Sequence, residues 1–254
     1  MDKLRRFDLR ALPEGGWLCG IDEAGRGALA GPVVAGAVFI EGTALRSRRF
    51  RRTWAQVNDS KQLSPAQRET IHGVIREEIA AGRLRGAAGE ASVAEIDHRN
   101  ILGATRLAMQ RALERACPAH WQLPCGDVGE LFAGNPAAVP GEILVDGRPL
   151  RPFPYQHRAL VKGDARSFVI ALASIVAKVT RDAGMVELDA VYPQYGFARH
   201  KGYATDEHCE ALRAHGPAPV HRPLFLRRIL NGGCIGDETQ EDLFEGESPV
   251  ARYG

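Results

Sequence analysis

Two apolar runs joined by a glycine-rich turn constrain this chain more than any other feature. Trp17 to Asp22 (WLCGID) is short and ends on a carboxylate, and Val33 to Ile40 (VVAGAVFI) is rich in β-branched residues. Each predicts a strand. An acid at the end of an apolar strand stands at the rim of a sheet, and here a second acid, Glu23, follows at once, before Gly25-Arg26-Gly27. Adjacent like charges repel unless something positive neutralises them. A divalent cation does so well, because Mg²⁺ and Mn²⁺ take oxygen ligands and keep positions open for water and phosphate. A solvated turn is the plainer account of an isolated Asp-Glu pair, so the reading depends on what else converges there.

Two further carboxylates have the same kind of placement. Asp146 ends a predicted buried strand, Gly141 to Asp146, and Asp164 (in VKGDA) follows another, Arg158 to Val161. A long, largely buried helix is predicted from about Arg166 to Leu188. Four acids at strand ends or strand-to-helix junctions are placed to converge on a pair of cations, and two metals about 4 Å apart suit in-line phosphodiester hydrolysis. Asp164 also fits as a helix N-terminal acid favoured by the dipole, a role compatible with the first. Ser64-Pro65-Ala66-Gln67 reads as an N-cap, a first-turn proline and a capping-box glutamine, opening a helix with Ile71, Val74, Ile75 and Ile79 on one face. A second helix is predicted over Arg99 to Ala116, with Ile101, Thr105, Ala108, Met109 and Ala112 inward. The order of elements implies a mixed-sheet α/β domain with a helical C-terminal part.

Composition bounds the alternatives. The 254 residues are 44% apolar and 25% charged, enough for one sizeable core. The charge-free run through Ala28 to Ile40 is broken by Gly31 and Pro32 and is shorter than the ~18 residues of a spanning helix. With no membrane segment and no secretory signal recognised, the expectation is a cytoplasmic monomer. Five cysteines without a Cys-x-x-Cys pair read as reduced thiols. The net charge of +2 hides a tail, residues 236–254, at −5 and a remainder at +7. An excess of that kind attracts polyanions.

The glycine turn admits a second reading. GRGALAG loosely matches a dinucleotide-binding loop, with the nearby arginines on a 2′-phosphate. Pro32 and the β-branched run after it predict a strand where that motif requires a helix, and Asp22-Glu23 would repel a pyrophosphate. Bare glycine backbone also lets amides approach a sugar closely, and the 2′-hydroxyl is what distinguishes RNA from DNA.

CGIDEAGRGALAGPVVAGAV resembles the opening signature of the ribonuclease HII family. Further matches follow in order: NDSKQLS at 58–64, GEASVAEID at 89–97, NILGATRLAMQRAL at 100–113, VDG at 145–147, VKGDA at 161–165, ASIVAKVTRD at 173–182 and YPQYGFARHKGYAT at 192–205. The resemblance implies an RNase H-like α/β fold, a mixed five-stranded sheet flanked by helices with a small helical C-terminal region. It further implies cleavage of RNA–DNA hybrids and of single ribonucleotides in duplex DNA, with Mn²⁺ or Mg²⁺. The family's acidic quartet falls on Asp22, Glu23, Asp146 and Asp164, its ribonucleotide-sensing turn on Gly25, Arg26 and Gly27, and its junction-reading tyrosine on Tyr203. Lys61, Lys162, Lys178 and Arg181 are candidate phosphate contacts or, equally, solvated or structural charges. Asp182 pairs more simply with Lys178, four residues earlier.

The expected organisation is a catalytic domain over 1–190 with a loop insertion at 117–140, a helical region over 191–235 and a disordered acidic tail over 236–254. The insertion, the cluster Arg46, Arg48, Arg49, Arg51 and Arg52, and the tail depart from the family pattern. No replication-clamp-binding sequence is recognisable, which leaves that partner open. A non-catalytic hybrid-binding protein would use the same turn and basic surface, but would have lost a carboxylate, and none is lost.

Overall fold

The first apolar run forms strand β1 (Trp17–Ala24) and the second β2 (Val33–Glu41), paired antiparallel with Trp17 opposite Glu41. This is a computed structural model, and it describes residues 2–54, 63–119, 121–125 and 139–230. Since a strand follows Pro32, the dinucleotide-loop reading falls. β3 (Arg85–Ala91) pairs antiparallel with β2, while β4 (Gly141–Asp146) runs parallel to β1 and β5 (Arg158–Leu160) parallel to β4. The mixed five-stranded order is β3-β2-β1-β4-β5. β3 went unpredicted because RGAAGEA lacks the β-branched and aromatic residues that mark strands.

Helices cover both faces. In chain order they are α1 (Asp2–Ala11), α2 (Gly42–Arg46), α3 (Arg48–Thr53), α4 (Pro65–Ala80) and α5 (Val93–Ala116). After β5 come α6 (Phe168–Val191), α7 (Phe197–His200), α8 (Asp206–His215) and α9 (Pro223–Leu230). The capping box at Ser64 and Gln67 opens α4 as expected. The helix expected from Arg99 begins earlier, at Val93, because Ser92 and Glu95 form a second capping box; a kink at Asn100 (φ 56°) separates its first turns from the rest.

On one face, α6 packs with α1, α3 and α4 over Leu18, Val38, Ile40 and Leu144. Its backbone reaches the sheet because β1 and β2 present glycines there. A Cβ on Gly20 would lie 2.2 Å from the Val169 carbonyl carbon, and one on Gly36 2.2 Å from the Ala173 oxygen. On the other face, α5 covers Cys19, Ile21, Ala35 and Val145, and Trp121 stacks on Trp17 with centroids 5.3 Å apart. A third cluster joins Leu29, Ala30 and Met185 to Tyr195, Phe197 and Leu212, so the C-terminal helices rest on the segment that follows β1.

The acidic segment 236–254 and, within 117–140, residues 120 and 126–138 lie outside the described residues. Cys19, Cys117, Cys125 and Cys209 are free thiols. Among the described residues no helix is long and apolar enough to cross a membrane.

Asp8 ties α1 to α6. It is fully buried and accepts from the Val169 backbone N–H at 3.0 Å. Burial pushes its carboxyl up to about 7, against the pull of Ser167 and of backbone hydrogen bonds. The folded state therefore retains a proton that the unfolded chain releases near 3.8. The resulting stabilisation is complete below that value and is lost as pH rises through about 7. Relative to Asp8→Asn, the wild-type thermal midpoint should fall as pH rises from about 5 to about 8; a constant difference between the two would contradict the assignment.

Candidate active site

Parallel pairing of β1 with β4 builds the site. Ile21 is level with Val145, so the next residue on each strand, Asp22 and Asp146, brings two carboxylates side by side at the sheet's edge. Strand alternation sends both towards α6, the face on which Leu18 and Leu144 pack. Asp22 is 6% exposed; the Glu23 backbone N–H donates to its Oδ1 at 2.8 Å, and Ser174 of α6 hydrogen-bonds its carboxylate. Burial pushes the Asp22 carboxyl well above its ordinary range. The charges of Glu23 and Asp146 add to the rise, and the bonds from Ser174 and the Glu23 N–H oppose it. Burial also raises Glu23, offset by Arg26, whose Nη1 stands 3.5 Å from Oε1, and reinforced by Asp146.

Asp22 and Glu23, both raised by burial and by the charge of Asp146 beside an open cleft, fit a divalent cation. Among the described residues no three His, Cys, Asp or Glu side chains form a group that could hold an ion by themselves.

The cleft wall continues through Gly25, Arg26 and Gly27 to Tyr203, Lys178 and Arg68. Gly25 has φ +84° and is packed on Arg181; a Cβ there would lie 1.8 Å from the Arg181 Nε. Tyr203 is half-buried and borders the cleft, with Lys178 Nζ 5.7 Å and Arg181 Cζ 5.4 Å from its ring centre. Tyr203 is therefore a cleft-lining and not a core side chain. Lys178 also pairs with Asp182 at 2.8 Å, as its spacing predicts.

Asp22, Glu23, Asp146, the glycine turn and Tyr203 thus meet in one cleft, and Asp164 does not border it. Asp164 is 1% exposed in the 3₁₀ turn Gly163–Ala165, beside Gly163, whose N–H donates to Asp146 Oδ1 at 2.5 Å. Lys61 lies outside the described residues, and Lys162 is exposed away from the cleft wall. Of the two readings of Arg181, the structural charge holds and the phosphate contact falls: it is 1% exposed and its guanidinium donates to the carbonyls of Pro32, Lys201 and Ala30. Sequence reasoning missed Arg68, Ser174 and Arg222. Arg68 carried a usable signal, a cation in the first turn of a helix, where the dipole favours acids. Ser174 is a lone hydroxyl between Ala173 and Ile175 in an apolar stretch, and Arg222 lies in none of the matched blocks.

A mixed five-stranded sheet with carboxylates at the ends of its neighbouring parallel strands β1 and β4, helices on both faces and a glycine turn beside the acids defines an RNase H-like nuclease. The ribonuclease HII family model matches residues 19–228. Ribonuclease HII of Dechloromonas aromatica is 46% identical over 210 residues, 83% of this chain and 91% of the relative; that of Thermotoga maritima is 44% identical over 232 residues, 91% and 81%. The solved ribonuclease H2 of Pyrococcus horikoshii superposes with a TM-score of 0.59 at 26% identity, covering 85% of this chain and 97% of that one. The chain belongs to the ribonuclease HII family: it is a metal-dependent endoribonuclease that acts on the RNA of RNA–DNA hybrids.

Ser174 makes Asp22 easier to ionise, so Ser174→Ala should move the acid limb of the pH–rate profile to higher pH. It should also raise the Mg²⁺ concentration for half-maximal activity about tenfold or more, the usual effect of removing a bond to a ligand. An unchanged metal requirement would show that the hydroxyl does not tune the site.

Proposed function

We propose that this enzyme cuts the RNA strand of hybrids and also nicks 5′ of single ribonucleotides embedded in duplex DNA, leaving 3′-hydroxyl and 5′-phosphate ends. The observation that carries this reading is the meeting of Asp22, Glu23 and Asp146 with the Gly25–Gly27 turn and Tyr203 in one cleft. Asp22, Glu23 and Asp146 would hold the cations, with Asp164 as a fourth ligand. A pair of Mn²⁺ or Mg²⁺ ions bound there supplies activation of water and charge neutralisation at the scissile phosphate.

The protein's own groups divide the remaining work. The Gly25–Gly27 backbone approaches the ribose and reads the 2′-hydroxyl, and a side chain on Gly25 would displace that turn by colliding with Arg181. Arg26, Lys178 and Arg68 contribute positive charge along the phosphates. Tyr203 packs against the sugar of the following deoxynucleotide, where a second 2′-hydroxyl would crowd it. Lys61 is a further phosphate contact in this reading.

Asp146→Asn should reduce cleavage on the order of 10³-fold, ~4 kcal/mol, while hybrid binding stays measurable. Retention of more than a tenth of wild-type activity at saturating Mn²⁺ would refute the ligand assignment. Stacking on nucleic acid is worth ~1–3 kcal/mol, so Tyr203→Ala should slow turnover at a single embedded ribonucleotide about ten- to a hundredfold, and less on continuous hybrid. Equal losses on both substrates, with an unchanged thermal midpoint, would rule out junction reading.

A further inference from the structure

Arg181 and Arg222 are each 1% exposed, large and charged, and both lie beneath the cleft. Burying a cation is costly unless its donors are satisfied. Here six hydrogen bonds satisfy them, all to backbone carbonyls. Arg181 holds Ala30, Pro32 and Lys201, and Arg222 holds Arg26, Gly31 and Pro32, at 2.9–3.1 Å. The two forks share the Pro32 oxygen. One reaches the carbonyl of Arg26 inside the ribose-reading turn, and the other that of Lys201, two residues before Tyr203. The backbone repeats the connection: Leu29 N–H donates to Gly202 O at 2.8 Å, and Arg222 N–H to Leu29 O at 2.8 Å. Burial and the neighbouring Arg181 charge lower the Arg222 pKa to about 9, a cost consistent with groups kept for what they hold.

We propose that Arg181 and Arg222 are positioning residues that fix the spacing between the Gly25–Gly27 turn and Tyr203, and so set the preference for a ribonucleotide followed by DNA over continuous hybrid. Neither side chain touches substrate. Each acts by holding two walls of the cleft on one rigid spine, Leu29 to Pro32. A planar guanidinium with a rigid set of donors suits this, whereas a lysine ammonium carries the charge without the fork. The inference rests on the turn and Tyr203 reading the ribose and the junction as proposed above.

The test compares kcat/KM on duplex DNA containing one ribonucleotide with kcat/KM on continuous hybrid, for wild type, Arg222→Lys, Arg181→Lys, Tyr203→Ala and Met109→Ala. Met109, buried on the opposite face of the sheet, supplies a destabilised variant with an intact cleft. Arg222→Lys should lower the ratio of the two values between about ten- and a hundredfold, as displacements of substrate-positioning groups do, while Met109→Ala leaves it unchanged. If Tyr203→Ala lowers the ratio and Arg222→Lys does not, losing activity equally on both substrates, the positioning role is overturned and the underlying reading stands. If Tyr203→Ala itself leaves the ratio unchanged, that reading fails and the proposal with it. Should Arg222→Lys not fold, Arg181→Lys is judged by the same ratio.

Discussion

The site depends on how closely α6 lies against the sheet. Gly20 and Gly36 remove the side chains that would otherwise hold the helix away, and its backbone settles on β1 and β2. One helical face then delivers three groups at successive turns: Ser174 to the Asp22 carboxylate, Lys178 to the cleft wall and Arg181 beneath the glycine turn. A methyl group at Gly20 would meet Val169 backbone, which cannot swing aside as a side-chain tip can. Packing and chemistry are therefore set by the same contact.

Charge is the second constraint. Parallel pairing forces Asp22 and Asp146 together, and the fold supplies only partial relief through Ser174, Arg26 and backbone N–H groups. The raised carboxyls of Asp22 and Glu23 are the electrostatic ground for the cation site proposed above. Lys178 and Arg26 are already engaged with Asp182 and Glu23, so they screen the cleft without filling its centre. A divalent cation would complete such a site, its remaining positions taking water and substrate phosphate.

Much of this was legible because the strands that position the acids are strongly apolar and end where their carboxylates begin. Gly141–Asp146 has the predicted bounds, and the predicted inward residues of α5, Ile101, Thr105, Ala108, Met109 and Ala112, are buried. What escaped depends on long-range contact. β3 is a strand because β2 offers it an edge, not because Gly-Ala-rich RGAAGEA favours one. The sequence leaves Arg181 open between a phosphate contact and a structural charge; only the fold reveals three carbonyls closing around it. Arg222 lies about two hundred residues from its acceptor in Arg26, a separation that no periodicity spans.

The most direct test of this account is where a cation sits. Anomalous scattering at the manganese edge, from crystals soaked in Mn²⁺, should place a peak within about 2.0–2.3 Å of carboxylate oxygens of both Asp22 and Asp146. A peak bound elsewhere, or one that touches neither of these two acids, would contradict it.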